Sequence, residues 1–268
     1  TAAQAEARLL MLSAHNLLLP ADGKPIISPT HDVVLGIYYM TQMLFDGKLV
    51  PTSQDAEQQL AGVPLNQRLE KFPAYMSIND ALLAYSVEHV TLQQPIRARI
   101  SRPVLSSADF TELPQIHDGL VITTAGRMIF NEKVAELMAD CFDDPEQYPL
   151  PFINAGVDKS ALSSIITEAY QKGGQHFTVR LADTMKDLGF EMATQSGLTI
   201  AACDILVPDA KQRILSEAET EASDIWSKYK KRIITETEKN LEVTRIWDQA
   251  TKDLTKAMRN NFDKMNSV

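Results

Sequence analysis

The first forty residues alternate between apolar runs and residues that form turns. Leucines occupy positions 17–19 and isoleucines occupy positions 26–27, and prolines border both runs. Gly23 lies in the polar segment between the two runs and can adopt a positive φ there. The pattern predicts two short strands joined by a turn. A helix of high intrinsic propensity is predicted before them, from Ala2 to Ser13.

A second helix is predicted from Val33 to Gln42. Its residues are apolar on nearly every side, which is typical of a buried helix. Thr30 and Asp32 are alternative N-caps for it. Farther on, Ser77 is predicted to cap a helix that ends at Ser86.

Short strands are predicted in the middle of the chain. Apolar and charged residues alternate strictly at 96–100, which indicates a half-buried strand. We expect strands around 90–102 and 120–130 to pair. In the second, a strand at 120–124 is followed by a turn at 125–127 into residues 128–131, and then by a short helix that ends at about Met138. Two weaker polar segments, residues 53–60 and 65–71, are expected to be exposed.

The second half of the sequence is predicted to be mainly helical. One amphipathic helix runs from Lys159 to Lys172 and is closed by Gly173-Gly174, and another covers Thr178–Leu188. A strand is predicted at Leu198–Cys203. Residues 209–261 contain neither proline nor glycine, and their apolar positions repeat at helical spacing in two blocks, which indicates a long antiparallel coiled-coil hairpin at about 209–262.

These elements predict an α+β fold that is mainly α-helical. We expect a mixed domain with short strands over residues 1–158 and a helical domain with the hairpin over 159–268. The composition fits globular domains, with 44% apolar and 23% charged residues in a chain of 268. The net charge of −9 disfavours a surface that binds nucleic acid as a whole.

Other features of the sequence limit the possible classes of protein. Cys141 and Cys203 are far apart and are interpreted as reduced thiols of a cytoplasmic protein. The longest apolar runs are too short to span a membrane. The histidines show no metal-binding spacing, and the common hydrolase, zinc and nucleotide-binding motifs are absent.

Several segments resemble, in the correct order, the β′ subunit of bacterial DNA-directed RNA polymerase. Residues 16–41 read N-L-L-L-P-A-D-G-K-P-I-I-S-P-T-H-D-V-V-L-G-I-Y-Y-M-T, and residues 123–131 read T-T-A-G-R-M-I-F-N. The segments 189–200, 204–208 and 266–268 are also similar to that family. His31 departs from the pattern, since the family usually has glutamine there.

The resemblance implies a piece of a nucleotidyltransferase that carries out DNA-templated transcription. The first domain would be the pore region, which lines the secondary channel through which nucleotides enter, and the hairpin would be the rim helices of the funnel. The Mg²⁺ of the parent enzyme is held by a D-F-D-G-D motif that this sequence lacks. We therefore expect no catalytic residue, metal site or cofactor here, and no activity of the chain alone. Both ends are interpreted as cuts through a longer polypeptide.

The implied partners are the other parts of the polymerase: the β, α and ω subunits and the remainder of β′. Nucleoside triphosphates would pass through the channel, and transcript-cleavage or related secondary-channel factors would dock on the hairpin. Two alternatives stay open. The chain could be a stand-alone helical scaffold with a coiled-coil interaction hairpin, or an independent enzyme whose site the sequence does not reveal.

The candidate residues for lining the channel are His31, Asp32 and Arg127. His31 either caps the helix, lies at the edge of the core, or donates a hydrogen bond to a phosphate oxygen of the incoming nucleotide. Arg127 either forms a salt bridge that fixes the predicted strand pair or lines the channel. Arg97 and Arg99 are expected to form a solvated face.

The candidate residues for docking a regulator lie at the predicted tip of the hairpin. They are Lys228, Lys230, Lys231, Arg232, Ile233 and Ile234. The cations either interact with the C-terminal dipole of the first helix or bind an acidic partner, and the two isoleucines favour a partner site. Trp226 and Trp247 are interpreted as core residues of the hairpin.

Overall fold

The computed structural model describes residues 1–21, 23, 25–45, 48–50, 72–107, 110, 112–116, 119–144, 148–199, 201 and 205–261. It divides into two compact units, Thr1–Leu198 and Thr199–Val268. The predicted division at residue 158 does not coincide with this boundary, because the helix that begins at Lys159 contributes to the core of the first unit. The predicted α+β class, mainly helical, is confirmed.

The described part of the first unit contains five α-helices and one 3₁₀ turn. They are α1 (Ala2–Leu10), the 3₁₀ turn Ser13–His15, α2 (Asp32–Thr41), α3 (Ile78–Ser86), α4 (Ala125–Cys141) and α5 (Lys159–Ser196). The predicted cap of α3 is confirmed, since the backbone N–H of Asp80 donates to the Ser77 hydroxyl at 3.1 Å.

The described strands are short. They are β1 (Leu44–Phe45), β2 (Lys48–Leu49), β3 (Ala74–Tyr75), β4 (Pro95–Arg99), β5 (Val104–Leu105), β6 (Leu120–Thr124) and β7 (Phe152–Ile153). The central sheet has the order β3-β4-β6, with β3 parallel and β6 antiparallel to β4. The predicted pairing is confirmed, with Ile96 opposite Thr123. The turn predicted at 125–127 is wrong, because helix α4 already begins at Ala125. Strands β1 and β2 form an antiparallel pair, and β5 and β7 form a parallel one.

Helix α2 lies very close to two neighbouring segments, and glycines make this possible. A Cβ atom on Gly36 would lie 1.9 Å from the carbonyl oxygen of Gly189 in α5. A Cβ on Gly126, at the start of α4, would lie 1.9 Å from the carbonyl oxygen of Met40 in α2. Because real Cβ atoms cannot approach so closely, these glycines fix the distance from α2 to both helices.

Helix α5 contains the break that the glycine pair predicts, but it continues beyond the break. Gly174 has a φ of 73° and a ψ of −178°, so the two helical segments meet there at a kink. The second segment ends at Ser196, with Gly197 in the left-handed conformation, and not at Leu188 as predicted. Its buried apolar positions continue through Leu188 and Met192, which keeps this segment on the core.

Other predictions for the first unit are corrected. Two paired strands were predicted near the N-terminus, but the described residues there form only an isolated β-bridge, between Leu18 and Pro25. Helix α2 is not buried on nearly every side, because Leu35 and Tyr38 are 38% and 40% exposed. The described residues of the predicted strand at 198–203 have no strand structure. The polar segments at 53–60 and 65–71 lie outside the described residues.

The second unit contains the predicted helical hairpin, which is confirmed. Its helices are α6 (Ala210–Lys230) and α7 (Glu236–Asn261). Small side chains occupy the seam, where Ala218, Ala222 and Ala250 are buried. Trp226 and Trp247 are 46% and 38% exposed, so they are not core residues of the hairpin.

Candidate functional site

An exposed residue with a strained backbone conformation comes directly before helix α2. His31 precedes the helix with a φ of 52° and a ψ of −126°. His31 occupies the N-cap position, but no described side chain caps the helix with a hydrogen bond, so the capping predicted for Thr30 or Asp32, and as an alternative for His31, is wrong. Asp32 is the first helical residue, where a carboxylate interacts favourably with the helix dipole. Both His31 and Asp32 are exposed to solvent.

His31 and Asp32 border a groove of about 610 Å³ within the first unit. Part of the groove wall is α5, through Asp183 and Lys186. The Lys186 ammonium lies 3.2 Å from the Asp187 carboxylate and 3.4 Å from Asp183. These interactions, first with Asp187 and then with Asp183, raise the pKa of Lys186. The groove therefore combines an imidazole with groups of both charges.

Arg127 is completely buried, away from any solvent-exposed surface, and it forms no salt bridge with a described residue. Its Nε donates to the carbonyl oxygen of Thr41 at 2.8 Å. Its Nη1 donates at 3.2 Å both to the carbonyl oxygen and to the side-chain Oδ1 of Asn154. Arg127 is a residue of α4. Its guanidinium thus joins the C-terminal end of α2 to the segment after β7.

The other polar side chains around Arg127 complete a buried network. Asn131, one turn later on α4, donates to the carbonyl oxygens of Arg127 at 2.7 Å and of Ile153 at 2.9 Å, and it accepts from the Ile153 N–H at 2.7 Å. The Thr41 hydroxyl accepts from the N–H of Val157 at 2.9 Å. Except for the local bond within α4, these bonds connect segments that are far apart in sequence, and each satisfies a backbone group that folding removes from water.

The network explains the T-T-A-G-R-M-I-F-N segment at 123–131. The Thr124 hydroxyl caps α4 by accepting from the Arg127 N–H at 3.2 Å, and Gly126 permits the contact with α2. Arg127 and Asn131 are four residues apart and therefore lie on one helical face. The spacing could have indicated a shared partner for these two residues, but Thr41 and Asn154 come from distant segments and carried no such signal.

Burial without an acidic partner lowers the pKa of Arg127 to about 10. The cause is the loss of hydration of the charged guanidinium. Arg127 still carries its proton at neutral pH, and carbonyl oxygens take the place of water around it. Its Nη2 makes no hydrogen bond to any described residue.

The two arginines of β4 differ in their surroundings. Arg97 is half-buried, and its Nε and Nη2 donate to the carbonyl oxygen of Phe72 at 3.4 and 3.3 Å. Arg99 is exposed. The predicted solvated face therefore describes Arg99, whereas the Arg97 side chain binds the backbone just before β3.

In the second unit, the hairpin tip begins with a helix C-terminus of the Schellman type. The N–H of Ile233 donates to the carbonyl oxygen of Lys228 at 3.0 Å, and the N–H of Arg232 donates to that of Tyr229 at 2.8 Å. Arg232 occupies the left-handed position of this motif, with a φ of 59°. Glycine is the usual residue at that position, so the chain places an arginine where the backbone favours a residue without a side chain.

Helix α7 begins with a capping box. The N–H of Thr235 donates to Oε2 of Glu238 at 2.8 Å, and the N–H of Glu238 donates to the Thr235 hydroxyl at 3.3 Å. The hydrogen bond from the Thr235 backbone, together with that from its hydroxyl, lowers the pKa of Glu238. The helix therefore starts at a position that its own sequence fixes.

A buried lysine connects the two helices next to the tip. The ammonium of Lys239 lies 4.4 Å from the ring centroid of Trp226 and 4.5 Å from that of Tyr229. Lys239 is only 7% exposed, and the Glu236 carboxylate is 4.0 Å away. The aromatic faces stabilise this cation because its hydration is largely removed.

The predicted docking residues surround this framework. The cations at positions 228, 230, 231 and 232 are exposed, and none forms an ion pair with a described residue. Ile233 is 68% exposed, whereas Ile234 is half-buried. The structure therefore places a cluster of unpaired cations around one exposed apolar side chain.

The described residues offer neither a metal site nor a membrane-spanning helix. They contain no group of three or more histidine, cysteine, aspartate or glutamate side chains that could hold a metal ion. None of their helices combines the length and the apolar character that crossing a membrane requires.

Comparison with known proteins identifies the family. The family model described as RNA polymerase Rpb1, domain 3, matches residues 16–205. The β′ subunit of DNA-directed RNA polymerase from Desulforamulus reducens is 37% identical over 266 residues, and that from Pelotomaculum thermopropionicum is also 37% identical. The β′ subunit from Thermobifida fusca is 33% identical over 269 residues.

These relatives match 99% of the chain, including both units and the hairpin. The chain spans only 18–19% of the length of those relatives. The segments that resembled the β′ family are thus part of a similarity that extends along the whole sequence. The chain belongs to the RNA polymerase Rpb1, domain 3, family, in the form found in the β′ subunits of bacterial DNA-directed RNA polymerase.

Proposed function

We propose that this chain serves DNA-templated transcription as a wall of the nucleotide entry channel and as a docking hairpin for channel-binding factors. The observation that carries the proposal is the similarity to β′ subunits along both units. The remaining β′ sequence and the β, α and ω subunits are the proposed partners. They would supply the catalytic carboxylates and the Mg²⁺ ions that nucleotidyl transfer requires.

In the proposed wall, α2 presents His31 and Asp32 to the channel. Both are exposed at the start of the helix and border the same groove. His31 can donate a hydrogen bond to a phosphate oxygen of a nucleoside triphosphate in transit. The Asp32 carboxylate repels phosphate, so it favours brief contact and not retention. Arg127 supports the wall from inside through the buried network.

In the proposed docking site, the cations of the hairpin tip attract acidic side chains of a transcript-cleavage factor or a related coiled-coil factor. The tip cations have no competing ion pairs among the described residues. Ile233 provides an exposed apolar contact in the middle of the cluster. A charged rim around an apolar centre is a common arrangement of protein interfaces.

A charge reversal tests the docking proposal. In the variant K230E/K231E/R232E, repulsion replaces attraction at the tip, and we expect the dissociation constant for a bacterial transcript-cleavage factor to rise by roughly a hundredfold. Titration of the labelled factor with the 268-residue chain, followed by fluorescence anisotropy, measures this constant. The control K252E changes one exposed charge of α7 away from the tip and should leave binding within about threefold. Unchanged affinity in the triple variant would remove the docking proposal.

A further inference from the structure

Arg232 adopts a backbone conformation that is unfavourable for an arginine. Its φ of 59° places it in the left-handed region, at the position of a Schellman motif where glycine is usual. Strain of this kind persists where the surrounding structure imposes it, and it is concentrated at sites with a function. A glycine would relieve the strain, so the arginine side chain must contribute something that the fold itself does not need.

The surroundings of Arg232 offer its side chain no role in folding. It is exposed, and no described residue accepts a hydrogen bond or an ion pair from its guanidinium. The lysines at 228 and 230 lie within regular helix, and Lys231 ends it, so none of them needs the left-handed conformation. Arg232 is thus the tip cation whose presence costs backbone strain.

The framework on both sides holds Arg232 in place. Before it, two hydrogen bonds close the last turn of α6, and after it the capping box of Thr235 and Glu238 fixes the start of α7. Lys239 joins the helices between the rings of Trp226 and Tyr229. Because the backbone at Arg232 is already fixed, binding needs to order only its side chain.

We infer that Arg232 is the main anchor of the hairpin for an acidic protein partner, which would engage it through a pair of carboxylate oxygens. This inference rests on the proposed docking function. A guanidinium binds a carboxylate with two parallel hydrogen bonds, which a lysine cannot do. The partner is a protein and not a nucleic acid, because Ile233 beside the anchor is 68% exposed.

The decisive variant is Arg232→Gly, because it should have opposite effects on folding and on binding. Glycine accepts the left-handed conformation, so the urea concentration at the midpoint of unfolding should stay the same or rise. The loss of the guanidinium should raise the dissociation constant for a bacterial transcript-cleavage factor about tenfold. Far-UV circular dichroism of the 268-residue chain gives the midpoint, and fluorescence anisotropy of the labelled factor gives the affinity.

Three matched variants separate the anchor from general charge. Arg232→Lys keeps the charge and the strained backbone, and should lose most of the affinity that Arg232→Gly loses. Lys228→Ala removes a tip cation in unstrained helix and should weaken binding by about threefold or less. Lys252→Ala, in α7 away from the tip, should change nothing.

The outcomes distinguish this inference from the docking proposal. If K230E/K231E/R232E abolishes binding while Arg232→Gly stays within twofold of the parent chain, the anchor is overturned and docking stands. If the parent chain does not bind the factor, both fail. A lower unfolding midpoint for Arg232→Gly would assign the arginine a role in folding and overturn the inference. The inference would also be overturned if Arg232→Gly lost more affinity for a 20-nucleotide single-stranded DNA than for the factor.

Discussion

At the scale of single residues, Arg127 shows how a buried cation is accommodated without an acidic partner. Its guanidinium is fully buried and donates only to uncharged oxygens of Thr41 and Asn154. The pKa of about 10, lowered by burial from the usual value of an arginine, corresponds to a cost of about 3 kcal/mol for holding the charge in the interior. Since the Thr41 and Asn154 acceptors are also buried, removing the arginine would leave them without a donor. The network therefore acts as a unit.

The network predicts that Asn131 is more important for stability than its size suggests. In Asn131→Ala, the N–H and the carbonyl oxygen of Ile153 lose their partners in the interior. At about 1–3 kcal/mol for each unsatisfied buried group, we expect unfolding to become about 3 kcal/mol easier. Urea unfolding followed by circular dichroism measures this. Lys133→Ala, two residues later, removes only an exposed pair with Glu136 and should cost less than about 0.5 kcal/mol. Equal losses in the two variants would contradict the role of Asn131.

At the scale of elements, the position of α2 is determined by contacts between backbones. Gly36 faces the carbonyl oxygen of Gly189 on α5, and Gly126 of α4 faces that of Met40. Side chains can adapt their rotamers to a neighbour, whereas backbone atoms at such distances cannot move without shifting a helix. The proposed channel residues His31 and Asp32 stand at the start of this helix. Their placement therefore depends on glycines that never touch the groove.

This arrangement predicts a severe effect of Gly36→Ala. The new methyl group would lie 1.9 Å from the carbonyl oxygen of Gly189, so α2 and α5 must separate, and we expect a loss of about 3 kcal/mol or more in unfolding free energy. Gly119→Ala is a matched control, because a Cβ there meets nothing within 4 Å. It should be neutral or stabilising by up to about 1 kcal/mol. Circular dichroism during urea unfolding gives the midpoint of each variant. If the midpoint of Gly36→Ala equalled that of Gly119→Ala, α2 could be displaced without cost.

At the scale of the whole molecule, the sequence predicted what depends on local patterns. The hairpin, the Ser77 cap and the pairing of β4 with β6 follow from spacing and alternation within short windows. The burial of Arg127 could not be predicted this way, because Thr41 and Asn154 reach it from distant segments. The length of α5 was underestimated, because the helix continues through Gly189. Burial against the core outweighs the low helix propensity of glycine there.

The left-handed Arg232 was also beyond sequence patterns, because they favour glycine at such positions. The resemblance identified the family, since the quoted segments lie within a similarity that covers 99% of the chain. It also named the tip residues and the start of α2. What these residues bind stays a prediction, because a binding role depends on surfaces that a partner supplies.

The last prediction concerns catalysis by the chain as a whole. Nucleotidyl transfer by two metal ions needs several carboxylates converging on one point. The sequence lacks the D-F-D-G-D motif of the family, and the described residues contain no group of three metal-binding side chains. We therefore expect the 268-residue chain to incorporate no nucleotide above background when it is incubated with a primed template, nucleoside triphosphates and Mg²⁺. Extension of a radiolabelled RNA primer measures this, with a complete bacterial polymerase as the positive control. Primer extension that co-purifies with the chain and disappears in a Gly36→Ala variant would place catalytic groups within this sequence and overturn the proposed role as a wall.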